Sequence, residues 1–288
     1  MKLSIAFLSW IGVAAFTVLS ASRAYALDLQ LEGKTALITG STAGIGYATA
    51  KLLLREGATV IINGRTQASV DRAATALAAA TGHRPLVFAG DMSRPQDIAR
   101  LAARFPRVDI LINNVGRFIS KDFLASTDRD WYETFDLNVM SGVRLARDYL
   151  PGMKARHWGR IIFISSESAL QIPVNGIAYG MSKAAEIAVA RGLAEDLART
   201  GVTVNSILPG PTIDPTDPRT AQRLAQAGLS FAQMQRNFFR TQRPTSLIQR
   251  FERPDEVAAM IVYVASPLSS GTDGAALRVD GGVVKSAF

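Results

Sequence analysis

Hydrophobic residues are distributed along the chain in two alternating patterns. Short runs of branched apolar residues, typical of buried strands, alternate with longer stretches in which apolar residues recur at helical spacing. The predicted strands are 34–38, 58–62, 85–89, 109–112, 161–164, 202–208 and 275–279. The predicted helices include 68–80, 98–104, 130–153, 178–199 and 254–264. This alternation predicts a single-domain α/β fold with a doubly wound parallel sheet of the Rossmann type.

The N-terminal segment departs from this pattern, because residues 3–22 carry no charge, with Lys2 before them and Arg23 after them. The small-x-small sequence Ala24-Tyr25-Ala26 follows. A charged start, an apolar centre and a processing site predict a signal peptide over residues 1–26, ahead of a domain at 27–288. The alternatives are an uncleaved membrane anchor, since the segment is long enough to span a bilayer, and a mistaken upstream start.

Side chains capable of proton chemistry surround the predicted strand 161–164. Ser165 and Ser166 end this strand, Tyr179 follows thirteen residues after Ser166, and Lys183 is four residues further on. Residues four apart share one face of a helix, so the ammonium can lie beside the phenol. A free tyrosine has a pKa of about 10, and a unit charge at ~4 Å supplies roughly the ~4 kcal/mol needed to favour its phenolate at neutral pH. Tyr179 is therefore a candidate general acid or base, with the Ser166 hydroxyl orienting and polarising a carbonyl.

The same Tyr-x-x-x-Lys spacing recurs at Tyr47 and Lys51. Thirteen residues before Tyr47 stands Lys34, where the other pair has a serine at a strand end. We therefore interpret Tyr47 and Lys51 as a surface pair without a catalytic role.

A glycine-rich turn, 39–46, joins the first predicted strand to a helix. Glycines let the backbone approach a phosphate, and a helix N-terminus presents amide groups to it. The second strand is followed by Arg65, and no acidic residue stands there to bind a ribose hydroxyl. An arginine at this place can pair with a 2′-phosphate, which favours NADP(H) over NAD(H). The candidate cofactor-binding residues in this half of the chain are Gly40, Ser41, Thr42, Gly44, Ile45, Gly46, Arg65, Asp91, Met92 and Asn114.

Composition narrows the possible functions. With 288 residues, 48% of them hydrophobic, the chain can bury a substantial core. It has no cysteine, which excludes disulfides and thiolate metal sites, and its two histidines, His83 and His157, stand in no ligand-like cluster, so we predict no metal site. The formal net charge is +8, but the basic residues are scattered among acids, and a nucleic-acid partner is not expected.

One basic group interrupts an apolar segment at about 211–250, which is a candidate substrate segment. Arg236, Arg240 and Arg243 have the spacing i, i+4 and i+7 and would share one helical face. Such a face could receive a carboxylate, a phosphate or an acidic carrier protein. The alternative is a solvated face opposite apolar residues. Phe118, Ile119, Leu170 and Ile172 could wall the other side of a substrate cleft.

From about residue 31 to residue 284 the chain resembles the short-chain dehydrogenase/reductase family. The turn 39–46 is similar to the family's T-G-x-x-x-G-x-G cofactor loop, and 113–116 is similar to its N-N-A-G strand end, with Val115 in place of alanine. Ala43 stands where NADP-preferring members often have a basic residue, which leaves Arg65 to carry that preference. The residues that match the family's catalytic tetrad are Asn138, Ser166, Tyr179 and Lys183.

The resemblance implies a role for each residue of the tetrad. The tyrosine gives or takes the proton, the serine holds the substrate oxygen, the lysine binds the nicotinamide ribose and favours the phenolate, and the asparagine holds a water in a proton relay. The side-chain amide of Asn138, in the predicted helix 130–153, also suggests a buried hydrogen-bond network, because burying an amide without partners costs free energy. Tyr179 and Lys183 are thus also candidate cofactor contacts, together with Pro209, Gly210 and Thr212, which match the turn beside the nicotinamide.

The implied activity is the interconversion of a carbonyl and a secondary alcohol on a small molecule, in a homodimer or homotetramer formed through the long helices. A 3-oxoacyl-carrier-protein reductase, a sugar or steroid dehydrogenase and a nicotinamide-binding regulatory protein are the alternatives. The N-terminus suggests export or membrane anchoring, whereas a soluble nicotinamide cofactor suggests the cytoplasm, and the sequence leaves this conflict open.

Overall fold

The computed structural model describes residues 27–287. The predicted signal peptide or anchor lies outside the described residues, and so the predictions about export and membrane attachment stay predictions. Among the described residues, no helix combines the length and the apolar character needed to cross a membrane.

The described residues form a seven-stranded sheet in the order β3-β2-β1-β4-β5-β6-β7, with every neighbouring pair parallel. The strands are β1 (Thr35–Ile38), β2 (Thr59–Gly64), β3 (Leu86–Ala89), β4 (Ile110–Asn113), β5 (Gly159–Ile164), β6 (Val202–Pro209) and β7 (Ala276–Val279). The central strands β4, β5 and β6 are buried along their whole length, which explains their continuous apolar runs. The prediction of a doubly wound Rossmann-type sheet is confirmed.

Helices cover both faces of the sheet. They are α1 (Gly44–Arg55), α2 (Gln67–Thr81), α3 (Pro95–Arg104), α4 (Asp128–Phe135), α5 (Ser141–Ala155), α6 (Ile177–Asp196), α7 (Pro218–Ala227), α8 (Phe231–Thr241) and α9 (Pro254–Ala265). One core packs α1, α2 and α9 on the sheet, and a second packs α3, α5 and α6 on its other face. Successive residues of β2 alternate between them, since Val60 and Ile62 belong to the first core and Ile61 to the second.

Two helical predictions need correction. The stretch 130–153 was expected to be one helix, but a π-helical turn at Asp136–Met140 separates α4 from α5. The substrate segment also contains two helices, α7 and α8, of which the first was not predicted. Asp217 and Ser230 cap these helices by accepting backbone hydrogen bonds, and Gly228 in a left-handed conformation ends α7.

The sheet order changes direction between β1 and its two neighbours. The chain passes from β1 outward to β2 and β3, and then returns to β4 on the other side of β1. Crossover connections therefore diverge at the carboxyl ends of β1 and β4 and leave a crevice between them, which is where ligands bind in open parallel sheets.

Candidate active site

A crevice of about 580 Å³ opens at the carboxyl ends of β1 to β4. We call it the cofactor crevice. Of the residues predicted to bind a cofactor, it brings together Gly40, Thr42, Arg65, Asp91 and Met92. The sequence had not singled out several others that line it, among them Asn63, Ser93, Arg117, Tyr132 and Asp136.

The glycine-rich turn is shaped by close backbone approach. Gly40 and Gly44 have φ values of 61° and 59°, in the region that favours glycine. A Cβ atom at Gly46 would lie only 2.6 Å from Asn114 Nδ2 and 2.9 Å from the Gly40 carbonyl oxygen. The N-cap residue of α1, Ala43, has no side chain that could bond the first amides of the helix. These features fit a phosphate group at the helix N-terminus.

Two asparagines hold the turn against the strand ends. The side-chain amide of Asn114 donates through Nδ2 to the carbonyls of Thr39, at 2.9 Å, and Gly40, at 3.1 Å. Asn63 Oδ1 accepts from the Gly40 amide at 3.2 Å, while its Nδ2 donates to the Phe88 and Gly90 carbonyls. Asn114 therefore lies next to the crevice and stabilises the turn through its side chain. Asn63 was not among the predicted site residues, although an amide at the end of a buried strand is a signal for such a hydrogen-bonding role.

The structure places Ser41 differently from the other residues of the turn. Its side chain is fully buried, and its hydroxyl donates to the Ile38 carbonyl at 2.8 Å and accepts from the Asn63 amide at 2.9 Å. The Ser41 side chain, which was predicted to contact a cofactor, thus supports the turn from the protein interior.

Arg65 lies exposed at the rim of the cofactor crevice, directly after β2. It has no ion-pair partner within residues 27–287. Across the crevice, burial of Asp91 is outweighed by hydrogen bonds from Ser93 and by the charges of Arg94 and Arg65, which hold the pKa of Asp91 below its usual range. A guanidinium available at this rim suits a phosphate ester on the adenosine ribose.

Lys183 and Tyr179 lie one helical turn apart on α6, as their spacing predicts. Lys183 is 3% exposed, and its Nζ lies 5.6 Å from the centroid of the Tyr179 ring. Nζ donates to the Ile164 carbonyl at 2.8 Å, which ties the lysine to the last residue of β5. The Tyr179 ring also packs against the Phe118 ring in a T-shaped arrangement, with 5.1 Å between ring centroids.

The two serines after β5 have separate partners. Ser165 Oγ donates to the Lys183 carbonyl at 2.7 Å and so joins β5 to α6. Ser166 Oγ accepts from the Ser168 amide at 3.1 Å, at the start of a short 3-10 turn formed by Glu167–Ala169. The hydroxyl proton of Ser166 remains available, because that contact uses the oxygen as an acceptor.

Asn138 lies in the π-helical turn and is buried. Its Oδ1 accepts from the Arg117 amide at 2.8 Å, and its Nδ2 donates to the Arg117 carbonyl at 3.2 Å and to Ser182 Oγ at 2.9 Å. The amide is part of a buried network, as predicted. A π-helical turn shifts the backbone pairing by one residue, and such turns are frequent at functional sites.

The turn 209–212 is held by an acid, Glu252, that was not among the predicted site residues. Glu252 Oε2 accepts from the Gly210 amide at 3.2 Å and lies 3.4 Å from Thr212 Oγ1, whose proton is shared with the Gly210 carbonyl at 3.0 Å. Burial, together with the negative charge of Asp280, raises the pKa of Glu252 to about 7 against the lowering effect of the Gly210 hydrogen bond. A Cβ at Gly210 would lie 2.7 Å from Asp280 Cα, so the close approach requires glycine.

The expected face of three arginines does not form. Helix α8 ends at Thr241, so Arg243 lies beyond it, and its guanidinium Nε donates to Glu167 Oε1 at 2.9 Å. Arg236 and Arg240 stay exposed on α8. The prediction that all three share a face is wrong for Arg243, because the helix stops before it.

The four apolar residues predicted to wall a substrate cleft separate into two groups. Phe118, Leu170 and Ile172 are 50%, 52% and 47% exposed. Ile119 instead lines a separate small cavity with Phe123 and Trp131. At the second Tyr-x-x-x-Lys match, Lys51 Nζ contacts Asp255 at 3.3 Å and burial raises the pKa of Tyr47.

Comparison with known proteins identifies this arrangement. The sequence model for the short chain dehydrogenase family matches residues 34–227. The chain belongs to the short-chain dehydrogenase family. It is accordingly an oxidoreductase of the carbonyl and alcohol class, and the resemblance seen in its motifs is confirmed.

Three relatives show how far the similarity extends. The chain is 41% identical over 266 residues to the oxidoreductase YvaG of Bacillus subtilis, covering 91% of this chain and 100% of that protein. It is 31% identical to a 3-oxoacyl-acyl-carrier-protein reductase of Aquifex aeolicus, covering 89% and 100%. It is 32% identical to L-sorbose reductase of Gluconobacter frateurii, solved with NADPH and L-sorbose, with a TM-score of 0.82 and coverage of 90% and 100%. The two named for a substrate are about equally similar and differ in it, so similarity alone selects no substrate.

Proposed function

We propose that the chain is an NADP(H)-dependent oxidoreductase that interconverts a carbonyl and a secondary alcohol, with Tyr179 as the proton donor or acceptor. The observation that carries this proposal is the position of Lys183. Its ammonium is buried, is fixed to the end of β5 next to the serines, and lies 5.6 Å from the Tyr179 ring. A cation held there in a low-dielectric site stabilises the phenolate that forms when Tyr179 gives up its proton.

The residues that would hold the cofactor are those of the cofactor crevice, the turn 209–212 and Lys183. Bound there, the dinucleotide would supply the hydride for carbonyl reduction. Arg65 supports the preference for the 2′-phosphorylated form, because a guanidinium is well matched to a phosphate and no acidic side chain follows β2 to bind a free ribose hydroxyl.

The chain's own residues perform the proton chemistry in this proposal. Ser166 Oγ donates to the substrate oxygen and orients it, and the Tyr179 hydroxyl delivers the proton to the same oxygen during reduction. Lys183 stabilises the phenolate that remains on Tyr179 after the proton has left. The buried side-chain contacts of Asn138 with Arg117 and Ser182 hold the π-helical turn in place. A backbone group of Asn138 fixed in this way is suited to bind the water of the proton relay.

A homo-oligomer formed through α5 and α6 is part of the proposal. An apolar groove of about 580 Å³ runs between these helices. Its lining includes Val143, Ala146, Leu150, Val189 and Leu193. A large apolar groove on a protein surface supports contact with a second copy. Sedimentation analysis tests this, and Leu150→Glu should shift an oligomer towards the monomer.

The activity is tested with purified protein, NADPH or NADH, and a panel of ketones, ketoacyl thioesters and keto sugars. We expect oxidation of NADPH by at least one carbonyl compound. Tyr179→Phe should lower kcat by roughly 100-fold or more, because general acid catalysis contributes that much, with little change in NADPH binding. Tyr47→Phe is the matched control, since it alters the other Tyr-x-x-x-Lys match, and it should keep full activity.

Two outcomes would contradict the proposal. Full activity of a folded Tyr179→Phe variant would remove Tyr179 from the mechanism. Tight NADPH binding without turnover of any carbonyl compound would favour the alternative of a nicotinamide-binding regulatory protein.

A further inference from the structure

A second ionisable group is buried beside Lys183. Glu186 lies one helical turn further along α6 and is 1% exposed. Lys183 Nζ donates to both of its carboxylate oxygens, at 3.0 Å and 3.1 Å. Among residues 27–287, Lys183 is the hydrogen-bond partner of this carboxylate, so its charge is directed at the candidate catalytic lysine alone.

We propose that Glu186 is a positioning residue that fixes the Lys183 ammonium and offsets part of its charge, and thereby sets how strongly Lys183 promotes ionisation of Tyr179. This inference rests on the proposed function, in which Tyr179 exchanges a proton with the substrate. Glu186 acts through Lys183 and is not itself expected to touch substrate or cofactor.

The geometry explains how the ammonium is positioned. A lysine has three N–H donors, and here the Ile164 carbonyl and the Glu186 carboxylate engage it from two sides. A Cβ at Gly116 would lie 3.2 Å from Nζ, so the glycine keeps the space next to the ammonium open. Nζ thus faces three acceptor oxygens, and Gly116 leaves room beside it on the side of the cofactor crevice that this glycine lines.

Burial affects both charges. For Lys183, burial disfavours the ammonium, but the charges of Glu186 and Tyr179 outweigh this and the pKa of Lys183 is raised. For Glu186, burial raises the pKa to about 7, although Lys183 acts in the opposite direction. The charge of Glu186 therefore supports the ammonium, while burial disfavours the carboxylate. As Glu186 ionises, it offsets the ammonium and disfavours a phenolate at Tyr179.

Other charges near α6 are already paired. Glu167, in the turn packed on α6, is bound to Arg243, and Asp136, in the π-helical turn, is bound to Arg144. On α4, Asp130 is bound to Lys121, and Glu133 to Arg117 and Arg129. Arg160 lies four residues before Ile164 on β5, and no titratable side chain occurs on β6. The charged groups that act on Glu186 thus reduce to Lys183, with Tyr179 beyond it.

A purely structural ion pair is the competing explanation. A buried ion pair seldom adds net stability over an apolar pair of the same volume. Variants that separate charge from size distinguish the two explanations. Glu186→Gln removes the charge and keeps the size, Glu186→Asp keeps the charge and shortens the reach, and Glu195→Gln changes an exposed acid on the same helix.

The main measurement is ultraviolet titration of tyrosinate in the substrate-free protein, with Tyr179→Phe in each background to isolate the Tyr179 signal. In Glu186→Gln we expect the midpoint of that signal to shift by about one pH unit, because the variant removes the charge that both supports the Lys183 ammonium and opposes the phenolate. Glu186→Asp should stay closer to the wild type, and Glu195→Gln should match it. Where a substrate is turned over, the pH–rate midpoint for alcohol oxidation should shift in the same direction and by the same amount.

The inference is overturned if folded Glu186→Gln titrates like the wild type, or if Glu195→Gln shifts the midpoint equally. Should Glu186→Gln fail to fold, Glu186→Met removes the charge at similar volume and takes its place. The titration needs no substrate, so the two proposals fail separately. A shifted titration without turnover of any carbonyl compound would contradict the proposed function and leave the inference about Glu186 standing.

Discussion

The Arg243 guanidinium lies 2.9 Å from the Glu167 carboxylate and joins the segment 211–250 to the turn that begins at Ser166. The two residues are 76 positions apart in the chain, and both side chains are largely buried. A second contact, from Arg243 to Ser168 Oγ at 3.4 Å, ends on the same turn. The candidate substrate segment is thus tied directly to the strand end that carries the candidate catalytic serine, Ser166.

Arg243→Ala should lower the free energy of unfolding by about 3 kcal/mol, because removal of one partner leaves a buried carboxylate without its counter-charge. Burial already raises the pKa of Glu167, against the lowering effect of Arg243. In the variant the carboxyl will hold its proton to higher pH, so the loss of stability should grow as the pH rises. Denaturant unfolding measures it, and exposed Arg240→Ala should change stability by less than about 0.5 kcal/mol. Equal effects of the two variants would contradict a specific pair.

Glu252→Gln tests the acid that holds the turn 209–212. Folding raises the pKa of Glu252 from 4.5 to about 7. Between these two pH values the folded protein keeps the carboxyl proton, whereas the unfolded chain has released it. Its contribution to stability is therefore present below pH 4.5 and is lost as the pH rises to about 7. Relative to the wild type, Glu252→Gln should gain up to about 3 kcal/mol between pH 5 and pH 8.

Glu256→Gln should show the opposite pH dependence of the free energy of unfolding, measured by denaturant unfolding as for Glu252→Gln. The hydrogen bond from Arg250 lowers the pKa of Glu256 to about 2, in spite of partial burial. The stability that Glu256 contributes is present at neutral pH and is lost as the pH falls towards 2. If both variants showed the same pH dependence, the assigned environments would be wrong.

Gly210→Ala should destabilise the protein by about 1 to 3 kcal/mol and weaken cofactor binding. The added Cβ would lie 2.7 Å from Asp280 Cα and 2.8 Å from its carbonyl oxygen, and backbone atoms cannot move aside easily. Gly192→Ala is the matched control, since nothing lies within 4 Å of its Cβ position on α6. That change should raise stability by up to about 1 kcal/mol, because alanine favours a helix. Thermal unfolding and NADPH titration measure both effects.

Arg65→Asp should shift the ratio of NADPH to NADH affinity towards NADH by roughly 10- to 100-fold, the value of one or more charge-assisted hydrogen bonds. The new carboxylate would repel a 2′-phosphate and accept from a free ribose hydroxyl. Isothermal titration with both cofactors measures the ratio. Arg72→Ala, which removes an exposed charge from α2, should leave it unchanged. An unaltered ratio in Arg65→Asp would exclude this arginine from cofactor discrimination.

Much of the fold could be predicted from contiguous residues. The buried strands β4, β5 and β6 are apolar runs, and the turn after β1 requires glycine at positions that the sequence displays. The spacing of Tyr179 and Lys183 determines that they share one face of α6. The end of α8 was harder to predict, because the pattern of its arginines continues past Thr241 although the helix does not.

The sequence by itself determined the alternation of strands and helices and the residues available for proton transfer, because these follow from local spacing. Only the tertiary structure decided that Asn63 locks the cofactor turn, that Glu252 holds Gly210, and that Arg243 meets Glu167. It also showed that Glu186 is buried against Lys183 and not solvated on an exposed face of α6. The physical reason is that burial and charge pairing depend on which distant segments pack together, and no short stretch of sequence contains that information.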